Sequence, residues 1–143
     1  MSQKEVILLL GSNISPRKKN LLEAIDQINT RFGKVIHQTK LLLTTPVEYD
    51  SDNNYYNMAV SIETELSPIA LLGEIKKIEK EMGRLRDSKD TGGYLDRPID
   101  IDIVSYNNLE FYGEELEIPH KKHLYEREFS QQLLLELSEL RGV

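Results

Sequence analysis

The chain has 143 residues, 39% of them hydrophobic and 29% charged, the profile of one compact domain and too short for two. Its longest apolar run, residues 6–10, is far below the roughly 18 residues of a membrane-spanning helix; residues 1–5 do not read as a signal peptide, and the absence of cysteine excludes disulfides, zinc–thiolate sites and thiol nucleophiles. The formal net charge of -6 lies wholly in the last third, where residues 98–143 hold ten Asp/Glu against four Lys/Arg while residues 1–97 hold fourteen of each, so no net basic face is available for nucleic acid. A cytoplasmic monomer of one domain, residues 1–143, is expected, with no membrane or nucleic-acid partner. A small anion remains compatible with this balance, because screening confines surface charges to a range of roughly 8–10 Å.

Residues 6–10 form a continuous apolar run closed by Gly11, which reads as a strand buried on both faces. Gly11-Ser12-Asn13 matches no phosphate-loop pattern and reads as a tight turn into a helix, with Ser15 as its N-cap and Pro16 in its first position. Leu21, Ile25, Ile28 and Phe32 recur at helical spacing, and Gly33 supplies a left-handed stop. Residues 35–43 form a second extended segment, and the polar, turn-rich stretch 45–54 reads as a mobile loop. The pattern then starts again. Met58, Val60, Ile62 and Thr64 alternate with Ala59, Ser61 and Glu63, as in a strand with one buried face. Ser67-Pro68 repeats the helix start, Leu71, Ile75, Ile78 and Met82 make the apolar stripe, and Gly83 ends it. After a charged loop, Ile99, Ile101 and Ile103 alternate with Asp100 and Asp102 in another strand. Asn107-Asn108 marks a hairpin that returns residues 109–112 beside 104–106, and a last helix carries Phe129, Leu133, Leu137 and Leu140 on one face. Two consecutive strand-helix-strand units predict a ferredoxin-like α+β sandwich, an antiparallel sheet with helices packed on one face.

Asp100 and Asp102 are the sharpest chemical feature. A strand period of two puts both carboxylates on one side of the sheet, and two such charges call for a counter-charge if that side is covered. A divalent cation held together with substrate phosphates would supply it, whereas on a wet sheet face the pair would be ordinary surface charge. Arg84, Arg86 and Arg97 bracket the loop that delivers the pair and suit bidentate phosphate contacts; in a solvated loop Asp87, Asp90 and Asp96 would neutralise them instead. His120 and His123 lack a soft third ligand, which favours contact with a polar ligand over zinc, and His37 reads as structural. Glu79 borders the buried face of the second helix near Arg84, as a loop-side hydrogen-bond acceptor or an ion-pair partner. Tyr55, Asn57 and Phe129 would suit a flat heterocycle, rings on its faces and amide on its edge, or be core.

In combination these segments resemble the 6-hydroxymethyl-7,8-dihydropterin pyrophosphokinases of folate biosynthesis. The matching residues are Gly11-Ser12-Asn13, Thr45-Pro46, Tyr55-Tyr56-Asn57-Met58-Ala59-Val60, Glu79, Gly83-Arg84-Leu85-Arg86, Arg97-Pro98-Ile99-Asp100-Ile101-Asp102-Ile103 and Ile118-Pro119-His120, in family order along nearly the whole chain. The resemblance implies transfer of a diphosphate from ATP to the pterin hydroxymethyl group with release of AMP. It implies two Mg²⁺ ions on Asp100 and Asp102, phosphate-clamping Arg84, Arg97 and Arg127, and Arg86, Glu79 and His120 on the ATP side. Thr45, Pro46, Tyr55, Asn57 and Phe129 would form the pterin pocket, and loops 45–54 and 84–97 would close over the substrates. The chain departs from the family pattern in three places. Tyr94 stands in a lid loop where many members carry Trp, one extra residue separates His120 from Arg127, and a C-terminal extension common in the family is missing. Two other classes share the sheet pattern, a non-catalytic small-molecule-binding regulatory module and a different two-metal nucleotidyl or phosphoryl transferase; the paired carboxylates argue against the first and the missing basic face against a nucleic-acid enzyme of the second kind.

Overall fold

The computed structural model describes residues 3–44, 54–83 and 98–142. Its elements run β1 (Lys4–Ser12), α1 (Arg17–Arg31), β2 (Gly33–Gln38), β3 (Leu42–Thr44), β4 (Tyr55–Thr64), α2 (Pro68–Glu81), β5 (Asp100–Tyr106), β6 (Phe111–Tyr112), β7 (Glu117–Ile118) and α3 (Glu128–Arg141). The main sheet has the order β2-β4-β1-β5 with β3 also on β4, and its pairs are all antiparallel. Each strand-helix-strand unit therefore places its second strand away from its first, the interleaving expected of the ferredoxin-like sandwich.

The apolar periodicity fixes which side each helix takes. Val6, Leu8 and Leu10 of β1, Met58, Val60 and Ile62 of β4 and Ile101 and Ile103 of β5 join Leu21, Ala24 and Ile28 of α1 and Leu71, Ile75 and Ile78 of α2 in one buried cluster. The opposite face carries a second cluster in which Leu9, Ala59 and Val104 meet Leu133 and Leu137 of α3. The helices of the two repeats thus share one face as expected, and the terminal helix covers part of the other. This is why β1 is buried on both sides, and why Ala59 and Ser61 of β4, expected on an open face, are buried as well.

Several local expectations change. β1 continues through Gly11 and Ser12, so the turn begins later and Pro16 rather than Ser15 caps α1, without a side-chain cap bond. The Asn20 amide instead donates to the Ile14 carbonyl at 3.0 Å. Gly33 opens β2 and does not adopt the left-handed conformation; its lack of a side chain serves close approach, since a Cβ there would stand 2.8 Å from Ile62 Cδ1. The segment 35–43 is split, because Thr39 turns its hydroxyl and its N–H onto the backbone of Ala59 and interrupts the ladder between β2 and β3. Residues 106–109 do form the turn, with Asn107 at φ 48°, but the returning β6 pairs with β7 and not with β5. On α3 the buried stripe is Ser130, Leu133 and Leu137, while Leu140 is exposed. The second helix matches its reading: Ser67 Oγ accepts from Ala70 N at 3.3 Å, Pro68 opens α2, and Gly83 follows it at φ 113°.

Side chains and one backbone amide close the outer strands. Asn29 Oδ1 accepts from Val35 N at 3.0 Å beside β2, and just beyond that strand Glu136 Oε2 accepts from Lys40 N at 2.8 Å. Beside β5, Glu79 Oε2 accepts from Ile101 N at 2.9 Å and His120 N donates to the Val104 carbonyl at 2.9 Å. Tyr106, at the end of β5, donates its hydroxyl to the Leu66 carbonyl, and burial pushes its phenol above the ordinary value. A group raised in the folded state contributes stability that is present below its unfolded pKa and drains as pH rises through the folded one. We therefore expect Tyr106→Phe to cost about 1 kcal/mol at neutral pH and to lessen the loss of stability that the parent shows above about pH 10. Thermal unfolding followed from neutral to alkaline pH reads both effects, and an identical alkaline decline in the variant would count against them.

Candidate functional site

The register between β1 and its neighbours assembles one row of side chains at the sheet end where β1 finishes and β4 and β5 begin. Gly11 is paired with Asp100 on one side and with Asn57 on the other, and the next row holds Asp102, Leu9 and Ala59. Since Leu9 and Ala59 belong to the α3 side, Asp100, Asp102, Gly11 and Asn57 face that side too. The isoleucines between the carboxylates fill the opposite core.

Gly11 is the low point between the carboxylates and the amide. A Cβ built there would stand 2.9 Å from Asn57 Oδ1 and 3.2 Å from Tyr55 Cδ1, so both side chains lean over the glycine. The Asn57 amide donates to Thr44 Oγ1 at 2.6 Å, which orients its carbonyl oxygen toward Gly11. Gly11 is therefore a strand residue with a steric role, not the tight turn its neighbours suggested. Phe129 is half-buried at the start of α3 and packs on the cluster that contains Leu9 and Ala59. Tyr55, Asn57 and Phe129 thus border one region, and Thr45 and Pro46 lie outside the described residues.

Asp102 is the most elaborately held group. His123 Nε2 lies 2.7 Å from Asp102 Oδ2, and His123 Nδ1 lies 2.5 Å from Ser130 Oγ. His123 is only 3% exposed and Ser130 fully buried, so these contacts are shielded from water. The Arg127 guanidinium reaches to 3.3 Å from His123 Nε2, and the His120 ring lies tilted against that of His123 at 4.3 Å between centroids. Burial alone would raise the Asp102 carboxyl; the hydrogen bond and positive charge of His123, with the charges of His120 and Arg127, outweigh it and hold the carboxyl below its ordinary value. Burial lowers His120, opposed by Asp102 and assisted by the neighbouring His123 and Arg127 charges.

A π-helical turn at Lys122–Glu126 delivers His123 and Arg127, closed by a bond from Arg127 N to the Lys122 carbonyl at 2.9 Å. A π turn carries one residue more than an α turn. The turn lies between His120 and Arg127, and it brings the Arg127 guanidinium to the Asp102–His123 pair. Glu79, expected as a loop-side hydrogen-bond acceptor or an ion-pair partner, is buried and accepts from Ile101 N on β5, between the two aspartates. Arg84, Arg86, Arg97 and Tyr94 lie outside the described residues. His123, expected with His120 to contact a polar ligand, meets the Asp102 carboxylate instead, and Ser130 was not singled out by sequence. The available signal was Ser130 itself, a polar residue on the 130/133/137 stripe of an otherwise apolar helix face. His37, read as structural, reaches Ser61 Oγ at 3.4 Å.

Asp102, His120 and His123 offer one carboxylate and two imidazoles whose ligand atoms lie within 4.8 Å of one another. Asp100 adds hard oxygen donors one strand period away. Partly exposed carboxylates with cationic neighbours suit a hard divalent ion that keeps water and shares phosphate oxygens. Among the described residues no helix is long and apolar enough to cross a membrane.

Comparison with known proteins now bears on what this arrangement serves. The family model for 7,8-dihydro-6-hydroxymethylpterin-pyrophosphokinase (HPPK) matches residues 7–139. A Porphyromonas gingivalis protein named 2-amino-4-hydroxy-6-hydroxymethyldihydropteridine pyrophosphokinase is 35% identical over 125 residues, covering 87% of this chain and 84% of that protein. A Bacillus subtilis protein of the same name is 33% identical over 123 residues, covering 85% and 71%. An Arabidopsis thaliana mitochondrial folate synthesis bifunctional protein is 36% identical over 136 residues, which are 95% of this chain and 24% of the relative. Among solved structures, Plasmodium falciparum HPPK-DHPS with pteroate superposes with a TM-score of 0.69 at 17% identity, covering 95% of this chain and 38% of that one; at that identity the likeness speaks for the fold. With a family match that spans most of its length and relatives at 33–36% identity, two of them sharing one name, the chain belongs to the 7,8-dihydro-6-hydroxymethylpterin-pyrophosphokinase family.

Proposed function

We propose that the chain is a 2-amino-4-hydroxy-6-hydroxymethyldihydropteridine diphosphokinase of folate biosynthesis that transfers a diphosphate from ATP to 6-hydroxymethyl-7,8-dihydropterin and releases AMP on the α3 side of the sheet. The observation that carries this reading is the row Asp100, Gly11, Asn57 in a chain of this family. Carboxylates suited to the metal-bound phosphates stand two strand spacings, roughly 9–10 Å, from an amide suited to a heterocycle edge, with a glycine as the residue paired between them.

Asp100 and Asp102 would hold Mg²⁺, two ions with ATP, and when bound the metal supplies positive charge to the phosphate oxygens. Arg84, Arg97 and Arg127 would clamp the phosphates, with Arg86 and His120 on the same side. Glu79 supports that side through the backbone of Ile101. Thr45, Pro46, Tyr55, Asn57 and Phe129 would hold the pterin, the rings against its faces and the Asn57 carbonyl against its edge. The hydroxymethyl oxygen bonds to the β-phosphorus, the bond from that phosphorus to the α–β bridging oxygen breaks, AMP leaves with that oxygen, and the hydroxyl proton is released. The protein's share is alignment of oxygen, phosphorus and leaving group together with charge neutralisation by the arginines. We further propose that residues 1–143 work as one cytoplasmic domain and as a monomer, which sedimentation in the presence of both substrates would test.

The direct experiment supplies ATP, Mg²⁺ and the hydroxymethyl dihydropterin and identifies the nucleotide product. AMP in step with pterin diphosphate is expected, and ADP would mean a different kinase. In the same assay Arg97→Ala should lower kcat by about 10²-fold or more, with little change in KM for the pterin. A change confined to pterin affinity would remove Arg97 from the phosphate clamp.

A further inference from the structure

We propose that His123 is a positioning residue for Asp102, locked in place by Ser130, so that Asp102 keeps one carboxylate oxygen engaged and turns the other to the metal that accompanies ATP. The inference rests on the pyrophosphokinase reading for the identity of that metal, but the contacts behind it are independent of the reading. An ionised carboxylate can only accept, so the Nε2 atom that lies 2.7 Å from Asp102 Oδ2 carries a hydrogen. Ser130 Oγ, 2.5 Å from Nδ1, can donate to a neutral ring or accept from a charged one, and so completes the imidazole in either state.

The surroundings leave the ring one orientation. His120 lies against its face, the Phe129 ring meets it edge-on at 6.2 Å between centroids, and the hydrogen bonds at its two nitrogens run in different directions to β5 and to α3. Turning the imidazole over would break both bonds around a ring that is itself almost fully buried. Asp102 needs this restraint because the terminal torsion of an aspartate is broad and roughly two-fold. With Oδ2 fixed by His123, the free oxygen has a defined direction. Partners of this kind, one shell behind a metal ligand, typically matter by about 10–100-fold in metal affinity or activity. Ser130 follows Phe129 directly, so the same first turn of α3 that borders the proposed pterin region also fixes the carboxylate.

The test uses the full chain, Mn²⁺ as a paramagnetic probe, and an ATP analogue with a methylene group between the α and β phosphorus, which cannot release AMP. Electron paramagnetic resonance then reads metal affinity without turnover, and steady-state assays in Mg²⁺ give kcat and pterin KM. His123→Ala and His123→Leu should weaken Mn²⁺ binding by about 10–100-fold and lower kcat to a similar degree, leaving pterin KM within about threefold. His123→Gln, whose amide can donate from near the position of Nε2, should recover affinity to within about fivefold of the parent. Ser130→Ala keeps the imidazole and should show an intermediate loss, which covers the case in which the His123 truncations do not fold. Mn²⁺ affinity within about twofold of the parent in His123→Leu, or in Ser130→Ala where the truncations fail to fold, overturns the proposal. So does a Gln variant no better than Leu. Failure of the parent to form AMP would instead sink the pyrophosphokinase reading, and the Mn²⁺ series would still report on His123.

Discussion

Asp100→Ala and Asp102→Ala should each reduce diphosphate transfer by more than about 10³-fold, a loss of roughly 4 kcal/mol in transition-state stabilisation. The fold should survive both changes, because neither carboxylate belongs to the apolar clusters that hold the sheet to its helices. Asp102→Ala should in addition lower stability, because it leaves the buried His123 without its acceptor, at a cost of about 1–3 kcal/mol. Product analysis by chromatography, alongside circular dichroism and thermal unfolding, separates the effects. Near-parental turnover in either variant would remove that aspartate from the chemistry, and a collapse of the far-ultraviolet signal would make the loss structural.

Substitution of Gly11 is expected to have the next largest effect. A valine there would drive its branch into Asn57 Oδ1 and the Tyr55 ring, which already stand 2.9 and 3.2 Å from the position of a first carbon. It would also place methyl groups in the gap between Asp100 and Asn57, across which, on the proposed placement, the hydroxymethyl group would meet the phosphate. Overpacking of this kind costs about 1–3 kcal/mol in stability, and misplacement of the two substrates by about 1 Å should lower kcat/KM for the pterin by about 10²-fold. Gly11→Ala should fall between. Affinity for ATP alone, read by calorimetry, should change little, because the obstruction stands toward the pterin. Equal losses for both substrates, or none for either, would contradict the placement of the gap.

The layered fold was legible because its signals are periodic and repeated. Alternation in β4 and β5 and the stripes in α1 and α2 specify faces, and the order of elements then leaves few ways to connect them. What escaped were features set by contacts distant in sequence. Ser15 and Pro16 carry a strong local start signal for a helix, yet β1 runs two residues farther than its apolar stretch because Gly11 and Ser12 pair with Asn57 and Tyr56. Gly33 carries a stop signal, yet the constraint on it comes from Ile62 across the sheet.

The site divided along the same line. Asp100 and Asp102 could be placed on one face from their spacing alone, and the structure keeps them there. Their partners could not be found that way, since His123 and Ser130 lie 21 and 28 positions beyond Asp102 and reach it through a π-helical turn that no spacing rule anticipates.

The groups that seal the outer strands bear on how this protein meets other copies of itself. A bare outer strand offers its amides and carbonyls as a template for another chain, and extended surfaces of that sort promote aggregation. Here Asn29 occupies the Val35 amide on one margin, and Glu79 and His120 occupy Ile101 and Val104 on the other. A second molecule seeking to extend the sheet past β5 would have to displace a buried carboxylate and the segment that carries His120. The margin beside Asp100 and Asp102 is thereby kept from intermolecular strand exchange.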